Sequence, residues 1–106
     1  MVVELQNQGD LSKDVCVGVF TKEGCKLCES LAGKISNSVG GYITVYLISY
    51  EKYPLLFKTF NIDPDKIVKD PIGIIFKYGK EVDRISKGIP QTQIAKKIIN
   101  TTKKAR

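Results

Sequence analysis

Val15-Cys16-Val17-Gly18-Val19-Phe20-Thr21-Lys22-Glu23-Gly24-Cys25-Lys26-Leu27-Cys28 is the stretch that decides how this chain folds. Residues 15–20 form a short apolar run, mostly β-branched, with turn-prone residues after it, as expected of a buried parallel strand. From Cys25 the period changes. Leu27, Leu31 and Ile35 recur at four-residue spacing with Cys28 and Ala32 beside them, which marks one face of a helix. Gly40 and Gly41 close that helix. A CxxC pair therefore stands at a strand-to-helix junction, with Cys25 at or near the helix N-cap.

That position has chemical consequences. Unpaired backbone N–H groups and the positive end of the helix dipole stabilise an anion, lowering a thiol below its free pKa of about 8.5. A three-residue separation places Cys28 one turn further on, close enough to hydrogen-bond the first sulfur or bridge to it. Lys22 and Lys26 add positive charge nearby and Glu23 and Glu29 oppose it, with the net effect still favouring the thiolate. The pair is read as a redox couple. Two alternatives stand beside that reading: inert core cysteines on the inner turn of a helix, and half of a zinc site. Zinc would need four ligands, whereas the only other cysteine is Cys16 and the chain has no histidine. Cys16, inside the strand, reads as a buried small hydrophobe rather than a modifiable thiol.

Outward from this stretch, segments alternate. Residues 42–48 are rich in β-branched and aromatic side chains and predict the next strand. Pro54 suits a first helical turn, with Leu55, Leu56, Phe57 and Phe60 giving a short helix its apolar side. Residues 61–70 are a polar connection in which Asp63-Pro64 starts one helical turn. After Pro71, residues 72–77 and 81–86 are two short strands joined through Tyr78-Gly79-Lys80, a hairpin. Ile94, Ala95, Ile98 and Ile99 repeat at helical spacing and predict a terminal amphipathic helix. The order is strand, helix, strand, helix, hairpin, helix, so a parallel βαβ pair carries antiparallel strands on the same sheet. Within residues 1–13, residues 2–5 are a candidate extra edge strand.

Composition bounds the rest. A chain of 106 residues without repeats or low-complexity linkers predicts a single domain over residues 1–106. The formal charge of +6 belongs to the C-terminus, because all 11 acidic residues precede Lys96 while Lys96, Lys97, Lys103, Lys104 and Arg106 follow Ala95. A basic tail over residues 100–106 reads as a solvated helix end suited to the helix dipole, not a nucleic-acid surface. No apolar run approaches the roughly 20 residues that span a bilayer, and residues 1–10 lack the pattern of a signal peptide, so a cytoplasmic location is expected. Three cysteines form no structural disulfide framework, and the absence of histidine excludes a histidine-containing catalytic triad.

Val17-Gly18-Val19-Phe20-Thr21-Lys22, followed by Gly24 and the CxxC, resembles the way glutaredoxins lead into their active site. The second half is closer to thioredoxin. Pro71 lies 46 residues past Cys25, near the spacing of that family's cis-proline, with Ile74-Ile75-Phe76-Lys77, Gly79 and Gly88 after it. On these residues the chain resembles the thioredoxin superfamily from residue 14 to about residue 100. The resemblance implies a thioredoxin-like α/β fold, a central mixed sheet of about four strands flanked by helices. It implies that Pro71 takes a cis peptide bond and packs against a Cys25–Cys28 disulfide, exposing the backbone of Asp70 to an extended substrate segment.

The chain departs from the pattern at several positions. Val19 stands where thioredoxins carry a buried aspartate, Lys26-Leu27 matches neither subfamily, and Asp70 replaces an apolar residue. The paired glycines that help glutaredoxins hold glutathione are not found near Gly88. The function so implied is thiol-disulfide exchange on protein substrates, with Cys25 and Cys28 catalytic, Lys22 and Lys26 tuning the thiolate, and Asp70 and Pro71 binding substrate. No cofactor is required, electrons come from a reductase or a small thiol, and the chain acts as a monomer without membrane or nucleic acid. The rival readings are a binding module of the same fold without turnover, and a metal site using Cys16, Cys25 and Cys28 across a dimer.

Overall fold

The computed structural model describes residues 2–41 and 43–103. Strand β2 (Val15–Thr21) is buried at every position, which is why its sequence runs apolar instead of alternating. It lies at the centre of a five-stranded sheet. Strands β1 (Val2–Glu4) and β3 (Val45–Ser49) run parallel with β2, β1 pairing along β3, while β4 (Ile72–Lys77) pairs antiparallel with β2. Strand β5 (Lys80–Ser86) returns along β4 through Tyr78 and Gly79, whose φ values of 52° and 86° make the tight turn expected of a two-residue hairpin.

Helix α1 (Lys26–Val39) is the crossover between β2 and β3 and ends at Gly40. It packs on α3 (Gln91–Lys103) and on β2, β3 and β4. The short helix α2 (Pro54–Thr59) occupies the opposite face, where Phe57 and Phe60 meet Phe20 edge-on at 4.9 and 6.2 Å. Gly18 lets that face close on the central strand: a Cβ there would lie 2.6 Å from Ile48 Cδ1 and 2.9 Å from Phe76 Cε2.

The sheet has five strands where about four were expected, because the edge segment is a true strand paired with β3. A short 3-10 helix over Gln8–Ser12 follows it, capped by the Asn7 side chain, and Leu11 there is buried. Strand β3 starts later than the β-branched run suggests, at Val45; Tyr42 lies outside the described residues. Three apolar positions expected at helical spacing do not join the core. Leu27 is 44% exposed, Leu55 74% and Ile99 49%, since α1 buries the stripe Cys28, Leu31, Ala32, Ile35 and Val39, α2 buries Leu56 and Phe57, and α3 buries Ile94 and Ile98. Of the basic tail, residues 104–106 lie outside the described residues, while α3 continues to Lys103. Among the described residues no helix is long and apolar enough to cross a membrane.

Candidate active site

The turn between β2 and α1 aims Cys25 at the helix N-terminus. The Tyr50 amide bonds Thr21 O at 2.8 Å, and the Cys25 amide bonds Lys22 O at 3.0 Å, closing a turn with Gly24 at φ 82°, a conformation a side chain would strain. Both carboxylate oxygens of Glu51 accept from the Glu23 amide at 3.3 Å and fasten the same turn to the next loop.

Cys25 is the N-cap of α1, with φ −83° and ψ 89°, and its sulfur accepts the Cys28 N–H at 3.3 Å. An N-cap acceptor satisfies a helix donor that has no partner of its own, and a thiolate at this position accepts it more strongly than a thiol. The two cysteines are joined as a disulfide, their Cα atoms 5.4 Å apart, so the expected pairing is observed. Cys25 is 2% exposed and Cys28 fully buried.

Residues 63–70 run over the sulfurs. Hydrogen bonds from the Lys66 and Ile67 amides to Asp63 O, and from the Lys69 and Asp70 amides to Lys66 O, wind this segment into a turn. The Ile67 carbonyl oxygen lies 3.6 Å from Cys25 Sγ and 3.5 Å from Cys28 Sγ. The polar connection therefore contains the one helical turn expected at Asp63-Pro64, and it brings main chain onto the disulfide. An apolar residue among charged neighbours, Ile67, is the signal in the sequence that the segment is anchored, while Val68 beside it is exposed. The role of Ile67 was missed.

The cis bond at Pro71 is not present: among the described residues every peptide bond is trans. The physical reason is the turn itself, which carries the chain across the sulfurs so that Pro71 only opens β4, a position a trans proline suits. Pro71 is buried and Asp70 exposed, with its carboxylate 3.6 Å from Lys87 Nζ. Lys22 is half-buried and pairs with Asp65 at 3.5 Å, while Lys26 is exposed on the first turn of α1. Val19, in place of a carboxylate, is fully buried.

Cys16 is buried on β2, its sulfur 3.9 Å from Leu11 O, as expected of a core residue. Burial pushes its thiol up to about 12, with the Asp14 and Asp10 carboxylates adding to the shift. Among the described residues no group of three or more Cys, Asp or Glu side chains is arranged to hold a metal.

No family model matches the sequence, and no curated protein matches it either. Solved structures do match. A single-substitution mutant of a thioredoxin from Halobacterium salinarum superposes with a TM-score of 0.70 at 16% identity, over 94% of this chain and 88% of that one. The chain has the thioredoxin fold. The reduced Schistosoma mansoni thioredoxin pre-protein gives a TM-score of 0.66 at 18% identity, over 93% and 96% of the two chains. Oxidised mitochondrial thioredoxin 3 from Saccharomyces cerevisiae gives 0.67 at 16%, over 93% and 94%. On this thioredoxin fold the sulfurs sit at the C-terminal end of β2, the central strand, and at the N-terminus of the helix that follows it.

Proposed function

We propose that the chain is a protein thiol-disulfide oxidoreductase working through Cys25 and Cys28. One observation carries the reading: a disulfide spanning the first turn of α1, with Cys25 as N-cap receiving the Cys28 amide. In the reduced state the Cys25 thiolate attacks one sulfur of a substrate disulfide. The substrate S–S bond breaks, and its electron pair leaves on the second sulfur, which takes up a proton. Cys28 then loses its proton and attacks Cys25 Sγ, breaking the mixed disulfide and releasing the other substrate sulfur as a thiolate. The substrate gains two electrons and the Cys25–Cys28 pair loses two, to be restored by a reductase or a small thiol.

In this reading Lys22 and Lys26 place positive charge near the Cys25 sulfur. Asp70 and Pro71 border the surface where a substrate segment lies, and the chain works as a cytoplasmic monomer. Cys25→Ser abolishes reduction of insulin disulfides, and Cys28→Ser accumulates a mixed disulfide between Cys25 and substrate. Wild-type turnover by both variants refutes the mechanism.

A binding module of the same fold is favoured by the 2% exposure of Cys25 and the apolar Val19. The pH dependence of iodoacetamide reaction at reduced Cys25 separates the two, because a module that only binds has no need of a thiolate at neutral pH.

A further inference from the structure

A sulfur that attacks protein disulfides has to be reached, and Cys25 and Cys28 are covered. The cover is residues 63–70, whose Ile67 carbonyl touches both sulfurs and whose Ile67 side chain is itself 2% exposed. The segment is held at two charged points. On one side Lys22, in the turn that carries Cys25, pairs with Asp65 at 3.5 Å. On the other Lys87, in the turn after β5, pairs with Asp70 at 3.6 Å and donates to Lys69 O at 2.7 Å. Asn61, in the left-handed region at φ 58°, precedes the segment, and buried Pro71 follows it.

We propose that residues 63–70 are a strap, fastened by the Lys22–Asp65 and Lys87–Asp70 pairs, whose release admits a macromolecular disulfide to Cys25. What the strap admits rests on the redox reading above; that it gates the disulfide does not. Asp65 is 90% exposed and Asp70 80%, so both fastenings face water and weaken with salt. Segments held by few apolar contacts and exposed polar ones open at a small fraction of the free energy of global unfolding. Ile67 is the apolar anchor, and the ion pairs set how often it lifts.

The test follows reduction of the oxidised protein by an uncharged water-soluble phosphine, which carries no salt effect of its own. The phosphine attacks one sulfur, the S–S bond breaks, and water supplies oxygen to the resulting phosphine oxide while both cysteines become thiols. The double variant Asp65→Asn/Lys87→Met is reduced about two- to tenfold faster than wild type at low ionic strength, and raising salt accelerates wild type but not the variant. Lys13→Met, which breaks the exposed Lys13–Asp10 pair elsewhere, leaves the rate unchanged and excludes a general loosening of the fold. Equal rates for wild type and the double variant at low salt overturn the strap. Insulin reduction measured in parallel keeps the two ideas apart. Gating without turnover supports the strap and counts against the oxidoreductase, and turnover without gating does the reverse.

Discussion

Raising the pH above 9 should destabilise this protein through one buried thiol. Cys16 is 4% exposed, and its thiol is held up to about 12 against an ordinary value of 9.0. In the folded chain it stays protonated at pH 10, whereas in the unfolded chain it is about nine-tenths ionised. The unfolded state therefore binds fewer protons, and stability falls as pH rises between those two values. The difference amounts to about 1.4 kcal/mol lost between pH 7 and pH 10, and about as much again for each further pH unit until the folded-state value is reached. Urea unfolding of wild type and Cys16→Ala under oxidising conditions, at pH 7, 8, 9 and 10, isolates this contribution. The Cys25–Cys28 pair does not titrate there, and the Tyr46 phenol, raised first by burial and then by Asp10 and only in lesser part by Cys16, is present in both proteins. The cavity left by the substitution costs the same at every pH. Stability curves that run parallel to within about 0.5 kcal/mol from pH 7 to pH 10 refute the reasoning.

Two further outcomes follow from the packing and the charge. Gly18→Ala drives a Cβ against Ile48 and Phe76 in the core and costs about 1–3 kcal/mol in denaturant unfolding; an unchanged midpoint would show that the central strand has room to spare. Lys26→Met removes an exposed cation from the turn after Cys25 and moves the midpoint of Cys25 alkylation upward by roughly a few tenths of a pH unit at low salt. A midpoint that stays put, or falls, removes Lys26 from the set of residues tuning the thiolate.

Much of this architecture was legible in residues 15–28. An unbroken apolar run means burial on both faces, and a change to helical period at Cys25 means a strand-to-helix junction, so the central strand and the N-cap followed from periodicity alone. The hairpin and the terminal helix were legible for the same reason. What periodicity cannot weigh is where an element's apolar stripe meets its neighbours. Leu27 and Leu55 fit helical spacing yet lie on first turns that project beyond the packed face. A three-residue edge strand such as β1 carries little pattern, and residues 2–5 were legible only as a candidate that pairing along β3 makes a strand. The candidate site divided similarly. The Cys25–Cys28 pair was evident from spacing, whereas the contact at Ile67 is made by main chain, whose position depends on how a polar loop winds and not on any residue type.

That main-chain contact has a consequence for how the site can vary. A carbonyl belongs to every residue, so no substitution at position 67 can delete the oxygen facing the sulfurs; it changes only how well the side chain anchors the turn. Neighbours of a reactive pair that are side chains can drift one mutation at a time. Here the environment of the two sulfurs is inherited with the path of the loop, and altering it requires an insertion, a deletion or a rewinding of the turn. Chains with quite different letters between Asn61 and Pro71, but the same length and winding, would keep the same atom in the same place.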